Sequence, residues 1–279
     1  MNISILGCGW LGLPLASKLV EDGHTIKGST TSQEKIETLR KKGITPYLIN
    51  LQPELEGDSE IFSDFFDSDL LFLNVPPGRR RKNVIEFHTR QVECIIEQLQ
   101  ESPITSVIFA SSTSVYPKKG GVMVENDAKA GQATRDSGEA LIKAEQMLQN
   151  QVHFDTTIIR FGGLYGYDRN PANYLAGKKD VSGGNAPVNL IHQDDCINIL
   201  SAIIENDIRG EVFNAVSDGH PPKNQYYKII AEQAGVEPPS FLPDTGKNYK
   251  VISNRKLKKA LDYQFVYPNP LDVVSAISE

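Results

Sequence analysis

The feature that most constrains the fold is a glycine pattern near the start of the sequence, in the stretch ILGCGWLGLPLA. Gly7, Gly9 and Gly12 form G-x-G-x-x-G directly after an apolar strand pattern and directly before a helical one. In this context the first glycine permits a tight turn, the second lets the backbone approach a pyrophosphate, and the third allows close helix packing. The helix N-terminus adds N–H donors and positive potential. The stretch predicts a dinucleotide cradle flanked by Trp10 and Leu11; the alternative is a glycine-rich turn that binds nothing.

Short apolar or β-branched runs alternate with helix-length amphipathic stretches as far as Phe161. This alternation is typical of a parallel sheet with crossover helices. The sequence therefore predicts an α/β fold with a doubly wound parallel sheet of the Rossmann type. Beyond Phe161 the chain becomes rich in Gly, Pro and Asn, which indicates a change of organisation. We expect an NAD(P)-binding domain over residues 1–161 and a smaller C-terminal substrate lobe over 162–279, with residues 188–216 returning to the sheet.

The amino-acid composition limits the classes of partner that the protein is expected to bind. The net charge of −6, from 29 Lys and Arg against 35 Asp and Glu, gives no electrostatic case for nucleic acid or a membrane surface. No apolar run approaches the ~20 residues that cross a bilayer, and the start of the sequence lacks a basic leader. The cysteines are few and widely spaced, at Cys8, Cys94 and Cys196. This spacing predicts no disulfide framework or metal site, and it favours a cytoplasmic protein whose partner is a small molecule.

The end of the second predicted strand bears on which dinucleotide is bound. Folds that prefer NAD commonly place an acidic residue there to bind the ribose 2′-hydroxyl. Here the strand HTIKG is followed by neutral hydroxyl residues, Ser29, Thr30 and Thr31. This favours NADP over NAD, although the same stretch also fits a simple helix cap with Ser32 at the N-cap.

A second stretch, FASSTSVYP, carries Ser111, Ser112, Val115 and Tyr116. Further motifs follow along the chain: Arg160, Tyr165 and Gly166, then Ile191, His192, Asp194 and Asp195. Together these motifs resemble the extended short-chain dehydrogenase/reductases, the group of NAD(P)-dependent sugar-nucleotide epimerases and dehydratases. The resemblance spans nearly the whole chain.

The resemblance implies roles for several residues. The family's catalytic Ser or Thr falls on Ser112, where a hydroxyl would bond a substrate oxygen; the alternative is a strand-end hydroxyl that satisfies local backbone. Tyr116 and Tyr165 are further candidates for proton transfer. The strand ends that would line the dinucleotide add Asn74, Val75, Pro76, Ala110 and Ser111.

One family feature is missing, the Tyr-x-x-x-Lys pair whose phenol acts as general acid and base. If Glu145 is the Glu that often follows this Lys in the family, the two places fall on Ser137 and Leu141. Lys143 lies about 200° around the helix from that face, so it cannot take the role. The sequence thus resembles the atypical YeeZ-type branch of the superfamily, in which the pair is lost.

Other charged residues have two interpretations each. Arg135 and Glu139, with Ser137 between them, either bind an anionic substrate or belong to a solvated helix start. The basic run Arg79–Lys82 captures a phosphate or carboxylate, or is a solvated loop. The block at His192 fits a structural cap better than a metal site.

Two functions of different class remain. The first is an NADP-dependent oxidoreductase or epimerase-like enzyme with a non-standard proton donor, and the second is a dinucleotide-binding sensor or scaffold without turnover. A homodimer is left open in both cases.

Overall fold

The structure is a computed structural model that describes residues 1–78, 80–243 and 249–272. Its strands are β1 (Asn2–Leu6), β2 (Thr25–Thr30), β3 (Thr45–Leu48), β4 (Asn50–Leu51), β5 (Leu55–Glu56), β6 (Leu70–Leu73), β7 (Ser106–Ser112), β8 (Val122–Met123), β9 (Asp155–Phe161), β10 (Gly163–Tyr165), β11 (Leu190–His192), β12 (Val212–Ala215) and β13 (Val251–Ile252). Its helices are α1 (Gly12–Glu21), α2 (Ile36–Lys41), α3 (Ser59–Phe66), α4 (Val84–Gln100), α5 (Asp136–Gln149), α6 (Ala172–Leu175), α7 (Gln193–Glu205), α8 (Lys223–Gln233) and α9 (Arg255–Leu261).

The main sheet has seven strands in the order β12-β9-β7-β6-β1-β2-β3. Strand β1 pairs in parallel with both β2 and β6, and β6 pairs in parallel with β7. All four residues of β6, LLFL, are buried, as expected for a central parallel strand covered on both faces. The predicted doubly wound parallel sheet is therefore confirmed. The carboxyl ends of β1, β2, β6 and β7 meet at one edge of this sheet, where ligands bind in open α/β folds.

The chain divides into two compact units. Unit 1 comprises Met1–Val115, Lys129–Arg160 and Leu200–Phe213, and unit 2 comprises Tyr116–Ala128, Phe161–Ile199 and Asn214–Glu279. Unit 1 holds the central strands of the sheet. Within unit 2, Tyr226 and Ile230 of α8 pack with Ala172 of α6 in an apolar cluster. None of the helices in the described ranges combines the length and apolarity needed to cross a membrane.

Helix α3 was not predicted. Its signal in the sequence is Asp58, whose carboxylate accepts the N–H of Glu60 at 2.9 Å as an N-cap, followed by three phenylalanines on one face. Phe62, Phe65 and Phe66 are all buried. The short hairpin β4–β5, which pairs Leu51 with Leu55, lies just before this helix and breaks the strand-helix rhythm that the sequence suggested.

Candidate functional site

The glycine loop joins β1 to α1 and its main chain is closely confined. Gly7 has a φ of +111°, which disfavours any residue with a side chain, and a Cβ there would lie 2.6 Å from the carbonyl oxygen of Asn74. A Cβ on Gly12 would lie 2.2 Å from the carbonyl oxygen of Gly7. Two of the three glycines are thus required by the packing of the loop itself.

Gly9 differs from both of them. It is exposed, its φ is not positive, and a Cβ built on it would meet nothing within 4 Å. Beside it Trp10 is half-buried and Leu11 is buried. Helix α1 begins three residues after Gly9, so a helix N-terminus stands at the edge of this open space. The loop is therefore confined on its inner side by main-chain contacts and open on its outer side, next to a helix N-terminus.

The end of β2 offers a ligand fewer free hydroxyl groups than the sequence suggested. The Ser29 hydroxyl is buried and accepts the N–H of Gly7 at 2.9 Å, so it stabilises the glycine loop. The Thr30 hydroxyl accepts the N–H of Ser32 at 3.1 Å. Only Thr31 of the three predicted hydroxyl residues is exposed. The hydroxyl available to a ligand at this strand end is that of Thr31, with the exposed Lys35 close behind it in sequence.

The end of β6 supports the glycine loop from its other side. The Asn74 side chain donates to the carbonyl oxygen of Gly7 at 3.0 Å, so it secures the loop. Val75 is half-buried and Pro76 is exposed at the same sheet edge.

The basic run follows β6. Arg79 lies outside the described residues. The Arg81 guanidinium lies 3.8 Å from the centroid of the Phe87 ring and donates to Gln52 at 2.8 Å. This arginine is thus held against neighbouring side chains, whereas Arg80 and Lys82 extend into solvent.

At the end of β7, Ala110 is half-buried and Ser111 is buried. The Ser111 hydroxyl donates to a carboxylate oxygen of Glu145 at 2.5 Å, and Arg160 donates to both oxygens of that carboxylate. Both charged side chains are buried, so this ion pair joins α5, β7 and β9 in the interior of unit 1. No role was predicted for Glu145 or Arg160 beyond motif matching; the available signal was an arginine inside the apolar strand TTIIRF.

Ser112 is the last residue of β7 and is half-exposed. Its hydroxyl oxygen accepts the N–H of Ser114 at 3.2 Å. Within the described ranges its own hydrogen has no acceptor, so the hydroxyl retains a donor for a further partner. The hydroxyl thus satisfies local backbone, as one interpretation from the sequence has it, and it remains able to donate; its role toward a substrate stays a prediction.

Helix α5 occupies the place of the missing Tyr and Lys. Ser137 and Leu141 are 7% and 3% exposed, so both positions face the interior. A Cβ on Gly138 would lie 2.5 Å from the carbonyl oxygen of Ser114, which shows how closely this helix packs on the residues after β7. The first turn of α5 is therefore closely packed against the residues that follow β7.

Of the charged residues around the start of α5, one bonds the protein backbone and two are exposed. Both carboxylate oxygens of Glu139 accept backbone N–H groups, from Gly131 at 2.9 Å and Ala133 at 2.8 Å. Glu139 thus fixes the preceding loop. Arg135 is exposed at the N-cap, and Lys143 is exposed on the opposite side of the helix from the buried positions.

The two tyrosines proposed for proton transfer lie in unit 2, and both are buried. Tyr116 is fully buried and its hydroxyl donates to the side-chain oxygen of Asn214 at 2.7 Å. Tyr165 is 3% exposed, and burial raises the pKa of its phenol. Neither hydroxyl is presented to solvent, and Tyr116 has the geometry of a packed structural tyrosine.

The block after β11 is a structural junction within unit 2. The buried Asp195 carboxylate accepts the Tyr263 hydroxyl and the N–H of Val266, both at 2.8 Å. The ring of His192 lies 3.9 Å from that of Tyr267, measured between centroids, and burial lowers its pKa. In the part of the chain that the structure describes, no group of acidic, His and Cys side chains could hold a metal ion.

Solved structures with this fold include several dinucleotide enzymes. The UDP-Glc/GlcNAc 4-epimerase of Campylobacter jejuni superposes with a TM-score of 0.79 at 16% identity, over 99% of this chain and 97% of that one. The UDP-glucuronic acid 4-epimerase of Bacillus cereus, in complex with UDP-glucuronic acid and NAD, superposes with a TM-score of 0.77 at 17% identity and the same coverage. A functionally unknown conserved protein of Silicibacter pomeroyi gives 0.75 at 21%, again over 99% and 97%.

No protein-family model matches the sequence. Among curated proteins, Protein YeeZ of Escherichia coli K12 is 34% identical over 272 residues, which cover 97% of each chain. Identity at this level over almost the full length of both proteins exceeds what a shared fold alone produces. The chain therefore belongs to the YeeZ family.

Proposed function

We propose that this protein binds NADP(H) or NAD(H) on the glycine loop and catalyses an oxidoreductase or epimerase/dehydratase-like reaction on a small carbonyl or alcohol substrate or on a nucleotide sugar. The observation that carries the proposal is the contrast within the loop. Gly7 and Gly12 are fixed by main-chain contacts, whereas the space over Gly9 is open. A loop built only for packing has no need of glycine at a position with free space and ordinary φ.

The residues that would hold the dinucleotide follow from the geometry. The backbone at Gly9 and the N-terminus of α1 would receive the pyrophosphate, and Thr31 would face the adenosine ribose. The absence of an acidic side chain at the end of β2 supports a preference for NADP(H). When bound, the nicotinamide supplies hydride acceptance or donation.

Ser112 would orient the substrate, because its hydroxyl keeps a hydrogen to donate to a carbonyl or alkoxide oxygen. Hydride transfer to a carbonyl leaves an alkoxide that must be protonated. Since Ser137 and Leu141 cannot supply this proton, it would come from water that Ser112 hydrogen-bonds. General acid–base assistance is worth about 10²–10⁴ in rate, so we expect slow turnover on ordinary sugar nucleotides.

A second candidate is a dinucleotide sensor or scaffold without turnover. It is favoured by the packing of α5, which buries both places of the missing pair, and by the buried hydroxyls of Tyr116 and Tyr165. A homodimer remains a prediction in either case.

The test is turnover with NADPH and NADH across a panel of small carbonyls and sugar nucleotides. We expect Ser112→Ala to lower kcat/KM by about 10²-fold, because the donor to the substrate oxygen is lost. The control is Ser114→Ala, which keeps the backbone N–H that bonds Ser112 and should stay within about twofold. Tight NADPH binding without turnover of any panel member would contradict the enzyme and support the sensor.

A further inference from the structure

The ring of His192 caps the helix that follows it. His192 is the last residue of β11, directly precedes α7 and is buried. Its Nδ1 atom accepts the N–H of Asp194 at 3.2 Å. This N–H is one of the first in α7, and such groups have no carbonyl partner within their own helix. The ring nitrogen therefore takes the place of the side-chain oxygen that usually caps a helix.

This contact depends on the protonation state of the ring. A nitrogen that accepts an N–H must offer a lone pair, so Nδ1 carries no hydrogen and the neutral ring carries its hydrogen on Nε2. The protonated ring of His192 has hydrogens on both nitrogens and can accept nothing. Its positive charge would also lie at the N-terminus of α7, where the helix dipole disfavours a cation. The cap therefore exists only while His192 is neutral.

Titratable groups face this ring from each element that packs on it in the described part of unit 2. They are Tyr165 of β10, Tyr167 of the following turn, Asp194 and Asp195 of α7, and Tyr267 of the segment 263–267. Burial lowers the pKa of His192, and the charges of the two aspartates oppose this shift. The folded protein therefore takes up this proton in mild acid, below the ordinary histidine pKa of about 6.5.

An acceptor for the new hydrogen lies beside Nδ1. One oxygen of the Asp194 carboxylate is 3.6 Å from this nitrogen. With the ring neutral, the same carboxylate accepts the Tyr167 hydroxyl, which lies 2.9 Å and 3.0 Å from its two oxygens. A charged ring would draw the carboxylate into a charge-assisted hydrogen bond, because such bonds are shorter and stronger than neutral ones. The bond to Tyr167 would be lost in exchange.

Tyr167 depends on this carboxylate more than Tyr267 does. Tyr167 is exposed and has a φ of +38°, a conformation that is unfavourable for a bulky residue. The backbone of Tyr267 is held separately, because its N–H donates to Asp195 at 3.1 Å. The ring of Tyr267 also lies 3.9 Å from that of His192, measured between centroids, and an aromatic ring at this distance stabilises a cation. Protonation therefore acts on the turn at Tyr167.

We infer that His192 is an acid-sensitive helix cap: when the ring gains a proton, it frees the Asp194 N–H, binds the Asp194 carboxylate and releases the turn at Tyr167. The step transfers one proton from solvent to Nδ1 and breaks no covalent bond. The segment at Tyr267 stays in place. The device lies within unit 2 and does not depend on dinucleotide binding, so it goes beyond the proposed function.

Amide hydrogen exchange, measured by NMR from pH 7.5 to 5.0 and divided by the intrinsic rate at each pH, tests this cap. We expect the protection of the Asp194 N–H to fall at least about tenfold in the wild type as the His192 ring signals titrate. The N–H of Arg169 donates to the carbonyl oxygen of Gly166 at 2.7 Å and closes the turn, so it should lose protection over the same pH range. The Tyr267 N–H should keep its protection and is the internal reference.

Two variants separate the steps. His192→Asn supplies an oxygen that caps the Asp194 N–H without a titratable ring, so protection there should change by less than about twofold across the pH range. Asp194→Asn keeps an oxygen for the Tyr167 hydroxyl but removes the charge that attracts the protonated ring. In this variant the Arg169 N–H should stay protected while the cap still opens. His153→Asn replaces an exposed histidine and should keep the pH dependence of the wild type.

Two results would overturn the inference. One is an equal loss of Asp194 protection in the wild type and His192→Asn, and the other is a His192 ring that stays neutral in the folded protein down to pH 5.0. If His192→Asn does not fold, the wild type and Asp194→Asn decide, since an equal loss of Arg169 protection in both contradicts the release of the turn. Dinucleotide binding is not measured in any of these experiments, so their failure leaves the proposed function standing.

Discussion

The glycine loop and the start of helix α5 both lie at residues that the sequence marks for dinucleotide chemistry, yet they are built in opposite ways. At the loop, the space over Gly9 is open and the surrounding contacts hold the main chain in place. At α5, the space is filled: Ser137 and Leu141 are buried and Gly138 packs on Ser114. The difference teaches that the glycine loop leaves space for a ligand, whereas packing fills the start of α5.

The largest expected effect tests whether the loop is fixed from inside. Gly12→Ala places a Cβ 2.2 Å from the carbonyl oxygen of Gly7, a contact that only backbone movement relieves. We expect a loss of more than about 4 kcal/mol in the free energy of unfolding. Gly9→Ala is the control and should change it by less than about 0.5 kcal/mol. Equal losses of unfolding free energy in the two variants, measured by urea unfolding, would show that the loop is no more confined at Gly12 than at Gly9.

Leu141→Lys tests whether α5 is closed. The new amine would be buried without a partner, which we expect to cost about 4 kcal/mol at pH 7. Burial lowers the folded-state pKa of a lysine below about 10.4, so between the two pKa values the unfolded state binds more protons. The variant should therefore gain stability as the pH rises from 7 to 10.

The measurement is urea unfolding of this variant across that pH range. Gln146→Lys, which adds the same charge at an exposed position of the same helix, should unfold like the wild type. A Leu141→Lys protein as stable as the wild type at pH 7 would show that the position is open to solvent.

Glu145→Gln tests the buried ion pair between Glu145 of α5 and Arg160 of β9. It leaves Arg160 buried beside a neutral group, and we expect a loss of about 3 kcal/mol in unfolding free energy. Glu93→Gln removes a carboxylate from the exposed pair with Arg90 and should leave the unfolding midpoint almost unchanged. Equal losses of stability in the two variants would show that the buried ion pair stabilises the protein no more than the exposed one does.

The smallest expected effect concerns the choice of dinucleotide. Thr31→Asp sets a carboxylate at the exposed end of β2, where it would repel a 2′-phosphate and accept a bond from a 2′-hydroxyl. We expect the ratio of NADPH to NADH affinity to fall about tenfold, or about 1.4 kcal/mol. Thr38→Asp on α2 adds the same charge away from the strand end and should leave the ratio unchanged. An unaltered affinity ratio in Thr31→Asp would show that the end of β2 does not contact the cofactor.

Much of the fold follows from local patterns in the sequence. The glycine pattern and the apolar run before it predict the β1-loop-α1 unit, and the alternation of strands and helices predicts the parallel sheet. Hydrophobic periodicity and turn-forming residues act over a few neighbouring positions, so these elements can be predicted from the sequence. Helix α3 was missed because its three phenylalanines follow a short hairpin that interrupts the rhythm.

The site was less predictable because its contacts cross long distances in sequence. The Ser29 hydroxyl bonds Gly7, Asn74 bonds the same glycine, and Ser111 bonds Glu145. The hydrophobic pattern of a sequence does not show whether a hydroxyl group faces a ligand or the protein itself.

The central claim is that the open space over Gly9 is a dinucleotide site. It is tested most directly by calorimetric titration of NADPH and NADH into the wild type and Gly9→Val, with thermal unfolding of both. The account predicts micromolar or tighter binding to the wild type and at least about 100-fold weaker binding to Gly9→Val, because the branched side chain fills the pyrophosphate space. Its unfolding midpoint should stay within a few degrees of the wild type. Equal binding by a folded Gly9→Val protein, or no binding by the wild type, would contradict the account.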